Sequence, residues 1–245
     1  MTASTRKNRI TILLPTLNEE ENIRQVIADL PITELKSRGY DVNVLVVDGK
    51  STDMTRVIAE EQGANVILQD GKGKGDGVRK AFSHADTDYL FMLDADGTYP
   101  SSYIIQMLRR LENGDDIVLG SRMEGVIQEG AMTSTNYFGN RMLTLLANAL
   151  YGTRISDVCT GLWGFNSKVI KGLDLNSNHF EIEAEMFATA VKKRYKISEI
   201  PINYRRRGET PPKLSPTCAI SIARKLVARK FISMQDTNGG QHRTR

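Results

Sequence analysis

Two carboxylates that follow a short apolar run are the residues of this chain best suited to chemistry. Residues 89–93 read Tyr-Leu-Phe-Met-Leu, and Asp94 and Asp96 follow them. A bulky run without polar alternation predicts a central strand buried on both faces, and an open parallel sheet binds its ligands at the carboxyl ends of the strands. Side chains that carry only acceptor oxygens favour a hard divalent cation and the phosphates it bridges. The sequence therefore predicts a cation and phosphate site at Asp94 and Asp96.

Position, rather than the Asp-x-Asp pattern itself, carries this prediction. Asp86 and Asp88 form a second such pair, but they precede the same strand. Carboxylates at the entrance of a strand are typical of a solvated turn, whereas a pair at its exit faces the ligand edge. Only the later pair is therefore expected to hold a ligand.

Polar side chains also end the first two predicted strands. Thr16 and Glu19 follow the run at residues 9–15, and the run at residues 42–48 ends on Asp48. Carboxylates accept hydrogen bonds from the amide-like N–H groups of a base and the hydroxyl groups of a ribose. One edge of the sheet is thus predicted to hold both a nucleoside and a diphosphate.

The first half of the chain alternates apolar runs with helical patterns. This alternation predicts parallel strands joined by right-handed crossovers through helices. A capping box of Asn18 and Glu21 is expected to open the first helix. The expected strands are residues 9–15, 42–48, 64–69, 89–93 and 116–120.

The second half of the chain loses this alternation. Residues 124–135 are rich in glycine and polar side chains and are predicted to form a mobile loop over the site. The helix expected at residues 217–234 has an apolar stripe, with Arg224, Lys225 and Arg229 opposite it. It either packs on the protein's own core or lies on an anionic membrane surface. Further helices are expected at 136–150 and 181–193, and a strand at 197–204.

Four alternating glycines at positions 71, 73, 75 and 77 match neither the dinucleotide-binding pattern nor the phosphate loop of nucleotide hydrolases. Two interpretations stay open. Backbone amides approach an anion there and Lys72 or Lys74 neutralises it, or the run is a flexible basic surface loop.

Composition narrows the class of protein. The 245 residues are 40% hydrophobic, which suffices for one large α/β domain, and the net charge is +4. No apolar window is long enough to span a bilayer, residues 1–8 lack a signal-peptide core, and two cysteines are too few for a disulfide framework. We therefore expect a cytoplasmic protein, whose basic last fifth favours an anionic partner.

Several motifs, taken in order, resemble the family-2 glycosyltransferases of the GT-A fold. The motifs span residues 9–215. Within the family they most resemble those of the dolichyl-phosphate mannose and glucose synthases. The motifs are Pro15-Thr-Leu-Asn-Glu19, Val47-Asp-Gly-x-Ser-x-Asp53, Asp94-Ala-Asp96, Gly120-Ser-Arg122, Asp157 with Gly161-x-x-Gly-Phe165, and Tyr204-x-x-Arg207-Gly-Glu.

The resemblance implies an α/β architecture, a single GT-A domain with a mostly parallel, Rossmann-like sheet flanked by helices. Its nucleotide-binding half would be residues 9–120 and its acceptor half residues 121–215. An amphipathic helix at 216–234 and disordered tails at 1–8 and 235–245 complete the expected organisation.

The resemblance also implies roles for the matched residues. The catalytic residues would be Asp96, Arg122, Asp157 and Arg207. Donor binding would fall to Pro15, Thr16, Leu17, Glu19, Val47, Asp48, Gly49, Asp94, Ala95 and Asp96, joined by Lys72 from the glycine run. The acceptor would be bound by Arg122, Arg141, Arg207 and Lys213, and Mg²⁺ or Mn²⁺ by Asp94, Asp96 and His179.

Three positions depart from the family pattern. Thr98 replaces the glutamine usual after the metal motif, which leaves His179 as a candidate third ligand or simply a surface or capping residue. Pro211 and Pro212 interrupt the acceptor loop. Arg141 lies beyond the position of the branch's arginine and is either an acceptor contact or a solvated helix residue.

The expected reaction is inverting transfer of a sugar from a nucleoside diphosphate to an acceptor. A polyprenyl phosphate is already ionised near neutral pH and needs no general base, whereas a hydroxyl acceptor needs one, from Asp157, Glu181 or Glu183. The alternatives are a soluble small-molecule acceptor and an inactive basic module attached to a membrane. Nucleic acid is disfavoured as a partner because the strand-end carboxylates oppose a polyanion and no aromatic platforms accompany the basic cluster.

Overall fold

A mixed sheet of seven strands forms the centre of the computed structural model, which describes residues 7–208 and 217–231. The strand order is β3-β2-β1-β4-β6-β5-β7. The strands are β1 (Arg9–Thr16), β2 (Asp41–Asp48), β3 (Asn65–Leu68), β4 (Tyr89–Met92), β5 (Ile117–Ser121), β6 (Trp163–Asn166) and β7 (Ile197–Pro201).

Helices cover both faces of the sheet, because the strand side chains alternate between two apolar clusters. In β1, Leu13 faces one cluster while Ile12 and Leu14 face the other. The first cluster packs under α4, α6, α7, α8 and α9, the second under α1, α2, α3 and α5. The helices are α1 (Ile23–Ala28), α2 (Ile32–Ser37), α3 (Thr55–Glu61), α4 (Lys74–His84), α5 (Tyr103–Glu112), α6 (Ser134–Tyr151), α7 (Ser167–Gly172), α8 (Ile182–Lys192) and α9 (Thr217–Phe231).

The first four strands are parallel, as their apolar runs predict. Strands β2 and β4 flank β1, and Thr16 lies opposite Asp48 at the last pair of the β1–β2 register. The carboxyl ends of these strands therefore share one edge. The mostly parallel α/β architecture expected from the sequence is confirmed.

The five predicted strands all run in the same direction, but β4 and β5 are not neighbours in the sheet. Strand β6 lies between β4 and β5 and is antiparallel to both. It has only four residues, too few for a periodicity to show. Gly164 allows the close packing, since a β-carbon there would lie 3.0 Å from Cε1 of Phe91.

The predicted capping box is also wrong. Helix α1 begins at Ile23, and Asn18 has a φ of 47°, so it lies in a turn before the helix. The backbone N–H of Asn18 donates to Oγ of Ser51 (2.9 Å), and its side-chain oxygen accepts from the N–H of Thr52 (2.9 Å). Asn18 therefore joins the loops after β1 and β2 instead of capping a helix.

The glycine run is not a flexible loop over its whole length, because α4 begins at Lys74. A β-carbon on Gly75 would collide with the carbonyl oxygen of Ser177, and one on Gly77 would lie 3.2 Å from Cγ1 of Val47. These glycines thus allow close packing of α4 against the sheet and against the segment before α8.

Helix α9 packs on the protein core. Arg224 is exposed as predicted, but the predicted orientation is wrong for Lys225 and Arg229. Ile222 and Leu226 are buried, while Ile220 and Phe231 are exposed. Lys225 and Arg229 approach the fully buried Glu185, with Nε of Arg229 2.6 Å from Oε1. Met234 and the tail at 235–245 lie outside the described residues, as do residues 1–6 of the predicted amino-terminal tail.

The predicted mobile segment at 124–135 contacts the chain after β7 through a β-bridge between Ile127 and Tyr204. Its mobility stays a prediction. None of the helices in the described ranges is long and apolar enough to cross a membrane.

Candidate functional site

The site lies at the carboxyl ends of β1, β2 and β4. Asp94 and Asp96 follow β4, whose neighbour β1 leads into Thr16 and Glu19, and β2 ends on Asp48. Glu19 and Asp48 are buried, and Asp96 is nearly so. The five polar residues predicted to share one edge therefore do so.

Asp94 is held by a lysine from the glycine run. Nζ of Lys74 lies 2.6 Å from Oδ1 of Asp94 and 2.5 Å from Oε1 of Glu183, and the Lys74 side chain is only 10% exposed. Burial by itself lowers the pKa of Lys74, but Asp94 and Glu183 outweigh it and raise the pKa above its ordinary value. Lys74 is therefore a fixed ammonium group beside Asp94.

Asp96 is held from the other side by an arginine of the acceptor half. Nη1 of Arg207 lies 3.1 Å from Oδ2 of Asp96, and its Nη2 lies 2.5 Å from Oε1 of Glu19. The hydroxyl of Thr98 donates to Oδ1 of Asp96 at 2.7 Å. Thr98, which replaces the family's glutamine, thus orients the carboxylate of Asp96, a predicted metal ligand.

Two close carboxylates make this part of the site suitable for a divalent cation. Burial and the negative charge of Asp94 raise the pKa of Asp96, because a second charge is costly in a desolvated site. A bound cation would relieve that repulsion. Across the described residues no three His, Cys, Asp or Glu side chains form a metal-binding cluster.

The predicted catalytic residues Arg122 and Asp157 form a buried ion pair. Nε and Nη2 of Arg122 donate to the two carboxylate oxygens of Asp157 at 2.7 and 2.8 Å, the bidentate geometry that a guanidinium favours. Nη2 also donates to the carbonyl of Cys159, and the guanidinium carbon lies 5.3 Å from the centre of the Tyr204 ring. Burial lowers the pKa of Arg122, but the charge of Asp157 more than reverses this and raises it well above its ordinary value.

The predicted nucleoside residues include a hydrogen-bonded turn after β2. Asp48 is fully buried, and its two oxygens accept from the N–H of Ser51 at 2.8 Å and its hydroxyl at 2.5 Å. Leu17 is 41% exposed and lies next to Gly49, where a β-carbon would be 3.4 Å from the leucine. The turn therefore presents an apolar side chain and backbone groups, while Asp48 fixes its shape.

Three predicted site residues, Lys72, His179 and Arg141, are not brought into these contacts. Lys72 is exposed. Lys74, the first residue of α4, reaches Asp94 instead. His179 is exposed and packs beside Gly73, and Arg141 is exposed on α6. Lys213 lies outside the described residues. The metal role of His179 and the acceptor role of Arg141 stay predictions.

Sequence reasoning missed Glu183 as a partner of Lys74 and left the choice between Lys72 and Lys74 open. The two lysines have identical glycine neighbours, so no local signal separates them. The start of α4 distinguishes the two lysines. Lys74 is the first helical residue and is held by its ion pairs, whereas Lys72 precedes the helix and is exposed.

Alanine at Gly161 is expected to impair the site without unfolding the protein. A β-carbon there would collide with Oδ2 of Asp94 and lie 3.0 Å from Cε2 of Tyr99. A misplacement of about 1 Å near reacting groups costs on the order of 100-fold in rate, so we expect kcat/KM to fall by about that factor. Steady-state kinetics and thermal unfolding measure the two effects.

Gly139→Ala in α6 is the matched control for this substitution. Apart from the neighbouring backbone of α6, no atom of the described residues lies within 4 Å of the added β-carbon, and alanine favours a helix over glycine. The control should keep its activity and a melting temperature at or slightly above that of the wild type. A fully active Gly161→Ala protein would contradict the claim that this contact fixes Asp94.

The fold and the carboxylate pair together define the class of protein. The solved structure of glucosyl-3-phosphoglycerate synthase from Mycobacterium tuberculosis, in complex with Mn²⁺, UDP-glucose and phosphoglyceric acid, matches with a TM-score of 0.75 at 19% identity. The match covers 93% of this chain and 81% of that one. The architecture is therefore the GT-A fold.

The chain belongs to glycosyl transferase family 2, whose family model matches residues 11–173. This confirms the resemblance found in the ordered motifs. Glycosyltransferase AglJ of Haloferax volcanii is 39% identical over 196 residues, which are 80% of this chain and 62% of that protein. A dolichyl-phosphate hexose transferase of the same organism is 34% identical over 84% of this chain and 87% of its own length.

Proposed function

We propose that this protein transfers a hexose from a nucleoside diphosphate sugar to a polyprenyl phosphate. The observation that carries the proposal is the pair of carboxylates, Asp94 and Asp96, each joined to a cationic side chain at the strand edge that also holds the predicted nucleoside turn. Similarity to a dolichyl-phosphate hexose transferase supports a lipid phosphate acceptor. Similarity of fold to a synthase solved with UDP-glucose and Mn²⁺ supports the donor class.

Asp94 and Asp96 are the proposed ligands of Mg²⁺ or Mn²⁺. The bound cation would neutralise charge that develops on the leaving diphosphate. Lys74 and Arg207 already lie against the same carboxylates and would add to that neutralisation. The side chain of Leu17 and the turn around Asp48 would hold the nucleoside.

The acceptor would be held by cations of the second half of the chain, Arg122, Arg207 and Lys213. In the reaction, a phosphate oxygen of the acceptor bonds to the anomeric carbon as the bond to the donor diphosphate breaks. Both oxygens of Asp157 are engaged by Arg122, so this carboxylate is poorly placed to take a proton. This favours an acceptor that arrives already ionised.

An apolar face on two neighbouring helices supports a membrane-bound acceptor. Helices α6 and α9 pack against each other, and neither contains an aspartate or glutamate. They carry seven of the twelve large apolar side chains exposed in the described residues, which concentrates exposed apolar surface here. These seven, the α6–α9 face, are Tyr137, Phe138, Met142, Leu145, Ile220, Val227 and Phe231.

We propose that the α6–α9 face lies on an anionic membrane. Arg141, Arg224 and Lys230 are exposed on the same helices, and each such cation near an anionic leaflet contributes about 1 kcal/mol. The buried side of α6 supports the acceptor half, since the hydroxyl of Thr144 accepts from the N–H of Val158 at 3.1 Å. The exposed side of α6 would therefore contact the membrane, while its buried side contacts the segment that carries Asp157.

Phe138→Asp is expected to reduce binding to vesicles of phosphatidylglycerol and phosphatidylcholine. Burying a phenylalanine side chain contributes about 1.5–3 kcal/mol, so its loss should weaken partitioning by at least about tenfold. Co-sedimentation at low and high salt measures the effect, and salt should also weaken the wild-type binding. Val57→Asp is the control, because Val57 is exposed on α3 across the sheet. Unchanged sedimentation of Phe138→Asp would contradict this face as the docking site.

The function itself is tested with the purified protein. UDP-, GDP- and dTDP-sugars with Mn²⁺ are screened by thermal shift, since a ligand that binds only the folded state raises the melting temperature. The stabilising donor is then incubated with a polyprenyl phosphate and, separately, with phosphoglyceric acid. Release of the nucleoside diphosphate only with the lipid supports the proposal. Release only with the soluble acid, or release unaffected by EDTA, would contradict the acceptor or the metal assignment.

A further inference from the structure

Lys74 occupies a position where an ammonium group is costly. It is the first residue of α4, and the positive end of the helix dipole disfavours a cation there. Its side chain is almost completely buried, which adds a desolvation penalty. The ammonium is therefore held in place by its two carboxylate partners, Asp94 and Glu183.

These two partners differ in what else they can do. Asp94 lies at the predicted diphosphate edge and is 31% exposed, so a ligand can reach it. Glu183 is 7% exposed, lies in the first turn of α8 and has Lys74 as its partner in an ion pair. Burial and the charge of Asp94 raise the pKa of Glu183, while Lys74 opposes that rise. Glu183 is thus buried against Lys74, whereas Asp94 is accessible from the site.

The backbone around Glu183 is fixed to the start of α4. The N–H of Asp76 donates to the carbonyl of Asn178 at 3.2 Å, and Gly75 packs against the carbonyl of Ser177. Two backbone amides, those of Asn176 and Ser177, donate to Glu185, two residues after Glu183 in α8. Contacts between α4 and the segment before α8 therefore hold Lys74 close to Glu183.

We propose that Glu183 is a positioning residue that holds the Lys74 ammonium against the donor diphosphate. The inference rests on the proposed function. When a cation engages Asp94, the lysine loses that partner, and the ion pair with Glu183 keeps its ammonium in place for a phosphate oxygen. Without Glu183, Lys74 would depend on Asp94 alone and would compete with the cation for it.

The test compares ligands that differ by one phosphate. Binding of UDP and of UMP, each with Mn²⁺, is measured calorimetrically for the wild type, Glu183→Gln, Lys74→Gln and the double variant. A charge-assisted hydrogen bond to phosphate is worth about tenfold in affinity, so both single variants should bind UDP about tenfold more weakly and UMP nearly as the wild type does. Because Glu183 acts through Lys74, the double variant should bind UDP no more weakly than Lys74→Gln.

A surface ion pair supplies the matched control. Glu61→Gln removes a carboxylate that pairs with Arg24 while both side chains are 56% exposed, and it should leave UDP binding unchanged. If Glu183→Gln does not fold, Lys74→Met/Glu183→Leu removes both charges together and should show the same loss for UDP alone.

The outcomes separate this inference from the proposed function. If Lys74→Gln weakens UDP binding and Glu183→Gln does not, or if the losses multiply in the double variant, the positioning role is overturned while the function stands. A wild type that fails to bind any nucleoside diphosphate with Mn²⁺ would overturn both.

Discussion

Asp96→Asn is expected to lower the rate of sugar transfer by about a thousandfold, or ~4 kcal/mol of transition-state stabilisation. The substitution removes one of two negative charges that would bind the cation. It also removes the ion pair between Nη1 of Arg207 and Oδ2 of Asp96, while Nη2 of Arg207 keeps its pairing with Glu19. Donor turnover is measured as release of the nucleoside diphosphate at saturating donor and Mn²⁺.

The second Asp-x-Asp pair of the chain gives a control with the same chemistry. Asp86 is 76% exposed and pairs with Arg9 at 2.7 Å. It lies before the amino end of β4, whereas the site lies at the carboxyl end. Exposed pairs contribute little to stability, so Asp86→Asn should transfer sugar at the wild-type rate. Equal losses in the two variants would contradict the assignment of Asp96, as would an Asp96→Asn protein that is fully active.

Arg122→Met is expected to destabilise the fold by about 3–5 kcal/mol, because it leaves the fully buried carboxylate of Asp157 without its cation. The variant also removes two side-chain hydrogen bonds to Asp157 and one to the carbonyl of Cys159. For a chain of this size the melting temperature should fall by about 10 °C. Thermal and denaturant unfolding measure this change independently of catalysis.

A second substitution distinguishes charge from packing. Arg122→Met/Asp157→Leu removes both charges and should regain most of the lost stability, since apolar replacement of a buried pair is often neutral. Arg24→Met, which breaks an exposed pair with Glu61, should cost less than about 1 kcal/mol. An Arg122→Met protein that melts like the wild type but transfers no sugar would show that Arg122 serves the substrate rather than the fold.

The residues in these two predictions differ in what the sequence establishes about them. The position of Asp96 after an apolar run predicts its place, and the structure puts it at the sheet edge that also carries Glu19 and Asp48. Arg122 and Asp157 were assigned by resemblance to act on the acceptor and as a base. Their mutual pairing is a finding of the structure, and their catalytic roles stay predictions.

Errors in the predicted elements have a common cause. Asn18 and Glu21 have the right spacing for a capping box, but the side chain of Asn18 is engaged by the loop after β2. Lys225 and Arg229 have the spacing of a solvated face, but the buried Glu185 of α8 attracts them inward. In both cases a distant polar partner outweighs the local pattern.

The sequence alone determined which runs are buried strands and which polar side chains end them, because that information is local and repeats within a few residues. It thereby located Asp94, Asp96, Asp48 and Glu19 at one edge of an α/β sheet. Only the tertiary structure decided the antiparallel insertion of β6, the choice of Lys74 over Lys72 and the partners of the buried cations. Arg207 meets Glu19 across 188 residues of chain, and no local pattern encodes a contact between side chains that only the packed elements bring together.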